Sequence, residues 1–324
     1  MKISITGSLG NVSRPLACRL VQQGHAVTVV SSKSERRKEI EAIGATAAIG
    51  TMEDADFLAK TFKGADAVYV MEAFETERYL DKQLNIIEAI SKVVNNYKQA
   101  IQQAGVKRIV HLSSMGAHTD VGTGLLAVHY HAETILRQLP DDVSITHIRP
   151  AGFYNNLFQN IPLIKGRGFL AHLLAFRYYG LLPLLRGQTG ILMANYGGAD
   201  KTVWVSPLDI ADVVAEELIK PFRGRNVRYV ASDEMTCDQV ATIIGEAIGK
   251  PYLKWVTISD KQMQTGAERF GMPKQIAKAL VEMNAGIHSG LVHKDYFLNR
   301  PEKLGTVKMV DFAREFAAVY ADHN

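Results

Sequence analysis

Residues 1–13 read MKISITGSLGNVS and combine a strand, a glycine-containing turn and the start of a helix. Ile3 to Thr6 is a short, largely apolar run that ends at Gly7, which predicts a buried strand. Apolar side chains then recur at helical spacing over residues 11–23, and Gly24 ends the predicted helix. A strand that leads through a glycine turn into a helix is the opening unit of an α/β fold.

The same alternation continues through the first half of the chain. Largely apolar runs predict further strands at 26–30, 45–49, 67–71, 107–112 and 143–148, and helical spacing predicts helices at 35–43, 53–62, 80–104 and 125–138. Strands that are apolar throughout indicate a parallel sheet covered by helices on both faces. With right-handed crossovers, these units predict a doubly wound, Rossmann-type sheet.

The regular alternation stops near residue 150. At about 150 residues per domain, 324 residues predict two units: a dinucleotide-binding domain over 1–150 and a smaller, mostly helical substrate-binding region over 151–324. Helical patterns in the second unit cover 207–219, 236–248, 259–269, 273–285 and 309–321, with a strand at 226–230. No flexible linker separates the units, so we expect direct packing and elements that return to the first sheet.

Composition narrows the class of protein. The balance of 37 basic and 33 acidic residues is +4, which permits a phosphate-bearing ligand but does not indicate a nucleic-acid binder. The only cysteines, Cys18 and Cys237, are far apart, so neither a structural zinc site nor a disulfide framework is expected. We therefore expect a protein of a reducing compartment, the cytoplasm.

No membrane span or signal peptide is expected. The most apolar region, 161–185, is interrupted by Lys165, Arg167 and Arg177, and a spanning helix needs about 20 apolar residues. The N-terminus lacks the apolar run of about 7–15 residues that a signal peptide requires. Residues 286–300 contain His288 and His293, but without ligand spacing they predict no metal site.

The glycine turn is the strongest chemical signal. Phosphate at a helix N-terminus needs exposed backbone N–H groups and no Cβ in the way. Gly7 permits the tight turn, and Gly10 lets the backbone approach a pyrophosphate. Ser13 stands where a third glycine is usual, a mild departure because serine is small. The position between the first strand and the first helix predicts a dinucleotide site.

The end of the second strand bears on the choice of cofactor. NAD enzymes of this plan place an acidic residue here for the ribose hydroxyls. This chain has Ser31 and Ser32, followed by Lys33, Arg36 and Arg37, which suit a 2′-phosphate. The pattern favours NADP, with NAD still possible. The alternative for the arginines is a solvated first turn of the helix at 35–43.

Several segments together resemble the NmrA-like branch of the atypical, extended short-chain dehydrogenases. They are the opening ITGSLGNV at 5–12, GVKRIVHLSS at 105–114, HYHAE at 129–133, RPAGFYNN at 149–156 and WVSPLDIADV at 204–213. The resemblance extends from residue 1 to about 250. It implies similarity to NAD(P)H-dependent quinone reductases and triphenylmethane reductases, and that branch also includes redox-sensing regulators that bind the dinucleotide without turnover.

The resemblance also implies which residues bind the cofactor. The pyrophosphate and adenosine side would be lined by Gly7, Ser8, Leu9, Gly10, Asn11 and Val12, and the adenosine ribose by Ser31, Ser32 and Lys33. Met71 and Glu72 would pass under the cofactor. The nicotinamide would be framed by Ser113, Ser114, Met115, Pro150, Gly152 and Phe153. The rule that ligands bind beyond the carboxyl ends of parallel strands predicts the same positions.

The catalytic pair of ordinary short-chain dehydrogenases is missing. They use Tyr-x-x-x-Lys, but Tyr130 is followed four positions later by Thr134, which disfavours tyrosinate chemistry and an epimerase or dehydratase. His129 and Glu133 are spaced i, i+4 on one helix face and match a His-x-x-x-Glu of the quinone-reductase-like members. His129 would orient the substrate or donate a proton, with Glu133 holding its tautomer. The alternative is a structural link to the loop after the fifth strand.

Hydride transfer to a quinone-like acceptor needs mainly position and exclusion of water, so we expect a flat apolar pocket. The aromatic residues that are candidates to line it are Phe153, Tyr154, Phe158, Phe169, Phe176, Tyr178 and Tyr179, and core packing is the alternative for each. Residues 165–190 are predicted to form a lid or insertion. The sequence thus predicts an NAD(P)H-dependent oxidoreductase for a small apolar acceptor, with a homodimer possible, or a non-catalytic redox sensor.

Overall fold

The computed structural model describes residues 1–72, 85–166, 176–221 and 223–322. Its largest layer is a seven-stranded sheet in which every neighbouring pair is parallel. The strands, in chain order, are β1 (Lys2–Ile5), β2 (Ala26–Ser31), β3 (Thr46–Ile49), β4 (Ala67–Met71), β5 (Arg108–Leu112), β6 (Ser144–Pro150) and β10 (Arg225–Val230). The predicted doubly wound parallel sheet is confirmed.

The order of strands across the sheet is β10-β6-β5-β4-β1-β2-β3. The chain moves outward from β1 to β3, then returns to pair β4 with the other side of β1. This reversal opens a crevice at the carboxyl ends of β1 and β4, the place where doubly wound sheets bind ligands. Gly7 follows β1 and Glu72 follows β4, so the two flank the crevice.

Helices cover both faces of the sheet, as fully apolar strands require. The helices of the described residues are α1 (Ser13–Gln22), α2 (Arg37–Ala42), α3 (Ala55–Phe62), α4 (Ile86–Ala104), α5 (Ala127–Leu136), α6 (Ile161–Lys165), α7 (Leu181–Leu185), α8 (Pro207–Ile219), α9 (Cys237–Ala247), α10 (Asp260–Arg269), α11 (Lys274–His288), α12 (Lys294–Leu298) and α13 (Met309–Asp322). Short 3-10 turns occupy Ser34–Arg36, Gly124–Leu126 and Tyr154–Asn160. One core contains side chains of β1 with α1 and α8, and the other contains β4 and β5 with α3, α4 and α5.

Local chemistry sets several helix ends. The Asp54 carboxylate accepts hydrogen bonds from two backbone N–H groups in the first turn of α3, and the Asn85 side chain caps α4. Gly105 closes α4 in the left-handed conformation. The helix predicted over 80–104 is therefore observed from Ile86, and the beginning of that prediction lies outside the described residues.

The second half of the chain contributes to the first sheet before it forms its own layer. Strand β10 extends the seven-stranded sheet beside β6, and α8 packs against α1. Two small sheets follow, one of β7 (Gly152–Phe153), β9 (Lys201–Val205) and β11 (Asp233–Thr236), the other of β8 (Leu192–Ala194) and β12 (Trp255–Thr257). Helices α9 to α13 complete a largely helical region, and the division at residue 150 into two domains stays a prediction.

Among the helices of the described ranges, none combines the length and the apolar character needed to cross a bilayer.

Candidate functional site

The turn after β1 has the backbone geometry of a phosphate-binding loop. Gly7 has φ +87°, and a Cβ there would lie 2.8 Å from Met71 Sδ and 2.8 Å from Ser13 Oγ. Ser8 follows with φ +54°, a left-handed conformation that is uncommon for a residue with a side chain. A Cβ on Gly10 would come within 3.2 Å of the Gly7 carbonyl. The turn therefore requires glycine on both sides, and it leaves space in front of its backbone.

Ser13 replaces the third glycine without disturbing the turn. Its side chain is buried, and its hydroxyl donates a 3.0 Å hydrogen bond to the Thr6 carbonyl. Val12 is the N-cap residue of α1, and its side chain lies in the core. Asn11 is exposed beside the turn. Of the two residues predicted to face the cofactor here, Asn11 is accessible to it, whereas the side chain of Val12 points into the protein.

A first cavity of about 300 Å³ lies beyond the carboxyl ends of β1 and β2. Its wall contains the turn residues Gly7 to Gly10 and the predicted ribose residues Ser31, Ser32 and Lys33, with Arg36. The Ser8 hydroxyl donates to the Ser31 hydroxyl at 2.9 Å, and the Lys33 N–H donates to the same oxygen at 3.2 Å. These bonds join the glycine turn to the end of β2.

The basic cluster divides between the cavity and the surface. Lys33 and Arg36 line the first cavity. Arg36 also pairs with Glu39 at 2.8 Å, whereas Arg37 pairs with Glu41 at 3.6 Å on the outside of α2. Of the cations considered for a 2′-phosphate, Lys33 and Arg36 border the first cavity, whereas Arg37 lies on the outer face of α2 beside Glu41.

A second cavity of about 580 Å³ continues from the first on the other side of the crevice. Its wall contains the predicted nicotinamide residues, which are Met71, Glu72, Ser113, Ser114, Met115, Pro150, Gly152 and Phe153. Backbone hydrogen bonds from Ser113 to Ile148 and from Met115 to Pro150 hold the loops after β5 and β6 together. Glu72 lines both cavities, so it marks their junction.

The remaining wall of the second cavity is largely apolar and comes from distant parts of the chain. These residues include Leu125, Leu126, Met193, Tyr196, Trp204, Trp255, Met263, Leu280, Met283, Ile287 and Val292. Small sheets and helices of the second half therefore close one side of the cavity. Sequence reasoning did not identify these residues, because no local pattern distinguishes a cavity wall from a core.

Of the aromatic residues predicted to line the pocket, Phe153 does so. Tyr154 stacks on Phe312, and Phe158 stacks on Phe316, inside the core of the second region. Tyr179 packs against Tyr252, and its hydroxyl donates to the Gly190 carbonyl. Phe176 is exposed. Phe169 lies outside the described residues, as does part of the predicted lid at 165–190.

His129 lies in the wall of the second cavity, at the start of α5. Its Nδ1 is 3.8 Å from a carboxylate oxygen of Glu72. Burial lowers the pKa of His129 to about 4, even though the charge of Glu72 acts in the opposite direction. The ring is therefore neutral near pH 7 and can donate one N–H hydrogen bond.

Glu133 has partners other than His129. Its carboxylate is fully buried and accepts hydrogen bonds from Ser113 Oγ at 2.6 Å and from Arg149 at 2.9 and 2.7 Å. Burial opposes its ionisation, but the Arg149 hydrogen bond and charge outweigh it and lower the pKa of Glu133 to about 2. The carboxylate beside His129 is therefore that of Glu72. Glu133 instead forms the structural link to the loop after β5 that was the alternative to a catalytic role.

Two histidines that the sequence did not single out extend inward from Glu72. His111 Nε2 lies 3.0 and 3.3 Å from the two Glu72 oxygens, and His111 Nδ1 lies 2.8 Å from His147 Nδ1. The residues face each other across neighbouring strands, because His111 and His147 are register partners of β5 and β6. The sequence did show one histidine on each of two apolar strands. That pattern indicates a histidine pair only when β5 and β6 are known to be neighbours in the sheet.

The part of the chain that the structure describes contains no cluster of three or more metal-ligating side chains. His288 pairs with Asp200 on the surface at 2.7 Å, and His293 lies separately in the wall of the second cavity.

Comparisons with known proteins agree with this geometry. A protein-family model described as NAD(P)H-binding matches residues 7–167. An NAD(P)H azoreductase from Xenophilus azovorans is 22% identical over 284 residues, which cover 87% of this chain and 86% of that protein.

Two solved structures share the fold along nearly the whole chain. An NADPH-dependent quinone oxidoreductase from Escherichia coli, complexed with NADPH, has a TM-score of 0.74 at 18% identity and covers 97% of this chain and 99% of its own. A triphenylmethane reductase from Citrobacter sp. has a TM-score of 0.72 at 18% identity, and the match covers 97% of this chain and 100% of that protein.

Proposed function

We propose that this chain is an NAD(P)H-dependent oxidoreductase that passes hydride to a flat, apolar, conjugated acceptor such as a quinone. The NAD(P)H-binding family model over residues 7–167 and the fold shared with the quinone and triphenylmethane reductases support the proposal and the predicted NmrA-like family. The observation that carries the proposal is the pair of cavities that meet at Glu72. One has a phosphate-binding turn, and the other has a largely apolar wall.

The residues present fit a dinucleotide. The glycine turn leaves room where a Cβ on Gly7 or Gly10 would intrude, and it leads into the N-terminus of α1, where a helix offers backbone N–H groups to phosphate. The adenosine half would occupy the cavity beside Ser31 and Lys33, and the nicotinamide half would occupy the side of β4, β5 and β6. When bound, the dinucleotide supplies the hydride. Lys33 and Arg36 support a preference for NADP, whose 2′-phosphate they would neutralise.

The apolar wall supports a flat acceptor. Trp204, Trp255 and Phe153 offer broad faces, and Met193, Met263 and Met283 offer side chains that adapt to different shapes. The relatives named above reduce azo compounds, quinones or triphenylmethane dyes according to their names, and all three classes are conjugated. Exclusion of water by such a wall favours transfer of hydride to the acceptor.

We assign His129 to the acceptor rather than to the cofactor. As a neutral imidazole in the cavity wall, it would donate a hydrogen bond to an acceptor oxygen. Glu72 beside it would hold the orientation that the sequence had assigned to Glu133. His129→Phe should raise the KM for a quinone and lower kcat while leaving the Kd for NADPH unchanged, and His129→Gln should recover part of the loss.

The central experiment titrates the protein with NADPH and NADH and then screens quinones, azo compounds and triphenylmethane dyes under steady state. Binding of NADPH with oxidation by at least one acceptor is the expected result. Absence of binding to either dinucleotide would contradict the whole proposal. Tight binding without oxidation by any acceptor would favour the redox-sensor alternative, for which the NmrA-like resemblance is the supporting observation.

A further inference from the structure

We propose that the enclosed carboxylate of Glu72 promotes hydride transfer through space, by stabilising the positive charge that the nicotinamide ring acquires as hydride leaves. This inference rests on the proposed function and assigns a specific role to the residue at the junction of the two cavities. It follows from where the carboxylate lies, from what holds it there and from the charge change of the reaction.

The Glu72 carboxylate is enclosed beneath the wall of the second cavity and has no exposed surface of its own. Glu72 follows β4, and both of its oxygens lie within 3.3 Å of His111 Nε2 on the neighbouring strand β5. One of them is 3.8 Å from His129 Nδ1, on the helix that follows β5. Both partners lie on β5 and on the helix after it, which flank the predicted nicotinamide residues Ser113, Ser114 and Met115.

The histidine pair keeps Glu72 ionised. A single proton must lie between the two Nδ1 atoms of His111 and His147, which are 2.8 Å apart. If both rings are neutral and Glu72 is ionised, as its lowered pKa indicates, His147 donates that proton and His111 carries its single proton on Nε2. If His111 is a cation, it donates from both nitrogens. In either arrangement, His111 Nε2–H donates to Glu72.

Burial strengthens the effect of this charge. Glu72 is 3% exposed, and water cannot screen a carboxylate in such a site as it would at the surface. Burial alone would raise the pKa of Glu72, but the charge and hydrogen bond of His111 outweigh it, and the pKa is lowered. A buried charge that is already oriented before the reaction costs no reorganisation during it.

The reaction creates a charge of the sign that Glu72 favours. The C4–H bond of the dihydronicotinamide breaks, and hydride takes both electrons to form a new bond on the acceptor. The cofactor ring is thereby oxidised by two electrons and becomes a cation, while the acceptor is reduced and takes one proton from water. A nearby carboxylate is attracted to the cationic ring and not to the neutral one, so Glu72 lowers the energy of the transition state and of the oxidised complex.

The test compares equilibrium binding of NADP+ and NADPH, which requires no acceptor. Glu72→Gln keeps an oxygen for His111 but removes the charge, whereas Glu72→Asp keeps the charge. We expect Glu72→Gln to weaken NADP+ relative to NADPH by about tenfold or more, and Glu72→Asp to remain nearer the wild type. The matched control is Glu315→Gln, an exposed residue of α13. It should leave the ratio of the two Kd values unchanged.

A second readout is the rate of hydride transfer in a single turnover with a quinone. Glu72→Gln should slow it by about tenfold or more and increase the isotope effect from C4-deuterated NADPH. An unchanged Kd ratio in folded Glu72→Gln would overturn the proposal, as would a changed ratio with an unchanged rate of transfer. If that variant does not fold, the wild type decides, because binding of NADPH more than about tenfold tighter than NADP+ contradicts a stabilised cationic ring. Failure of the proposed function would instead appear as no dinucleotide binding or no oxidation.

Discussion

The guanidinium of Arg149 donates two hydrogen bonds to the carboxylate of Glu133, at 2.9 and 2.7 Å, inside the wall of the site. Arg149 lies at the end of β6, and Glu133 accepts a further hydrogen bond from Ser113 of the loop after β5. On the other side, Arg149 donates to Tyr229 and to Asp295 of the C-terminal region. One buried ion pair therefore links the ends of β5 and β6 beside the second cavity with a later part of the chain.

Removal of the negative charge should destabilise this link. Glu133→Gln removes the fully buried anion of Arg149 and leaves the guanidinium with only the partly exposed Asp295, and loss of a buried partner costs up to about 3–5 kcal/mol of the free energy of unfolding. Urea unfolding measures it. Glu246→Gln, an exposed glutamate of α9, is the control and should change the free energy by no more than about 0.5 kcal/mol. Equal stability of the two variants would show that the ion pair does not hold the loops.

The glycine turn gives a prediction with a close internal control. Gly7 and Gly24 have φ of +87° and +80°, so alanine at either position carries the left-handed strain of about 1–2 kcal/mol. At Gly7 the new Cβ also meets Met71 and Ser13 at 2.8 Å, whereas nothing lies within 4 Å of it at Gly24. Isothermal titration should show at least about tenfold weaker NADPH binding for Gly7→Ala and wild-type binding for Gly24→Ala. Equal Kd values would remove the turn from the binding site.

Cofactor preference should depend on Lys33. This side chain lines the first cavity, and a charge-assisted contact with the 2′-phosphate contributes about 1.5–3 kcal/mol. Lys33→Ala should therefore weaken NADPH by about tenfold or more and leave NADH nearly unchanged. Arg37→Ala is the matched control, because Arg37 pairs with Glu41 outside the cavity. A wild-type protein that binds NADPH and NADH equally would contradict a role for this segment.

His293 predicts a measurable loss of stability in acid. Burial lowers its pKa from 6.5 to about 4, so the unfolded chain binds a proton at this position before the folded protein does. Its contribution to stability is complete above pH 6.5 and decreases as pH falls toward 4. At about 1.4 kcal/mol per pKa unit, the loss is at most about 3.5 kcal/mol. Urea unfolding between pH 7 and 4 should show a smaller decrease for His293→Gln than for the wild type, and parallel curves would refute the assignment.

The framework of the fold could be predicted because its signals are local. Each strand of the main sheet is apolar over several consecutive residues, each helix repeats its apolar positions, and Asp54 and Gly105 mark helix ends through their own hydrogen bonds or backbone angles. The glycine turn belongs to the same class, since φ at Gly7 and the position between strand and helix are properties of neighbouring residues. The predicted residues of the strand ends accordingly line two adjoining cavities.

The sequence by itself therefore determined the parallel sheet, the dinucleotide-binding crevice and the residues along its edge. Only the tertiary structure decided which carboxylate lies beside His129. Spacing along one helix linked His129 with Glu133, but Glu133 pairs with Arg149 from β6, and Glu72 from β4 takes the place beside His129. The apolar wall around Trp204 and Trp255 likewise depends on contacts between distant segments. Helical periodicity specifies which residues share one face of a helix. Strand order and packing determine which charged and aromatic side chains from other segments contact that face.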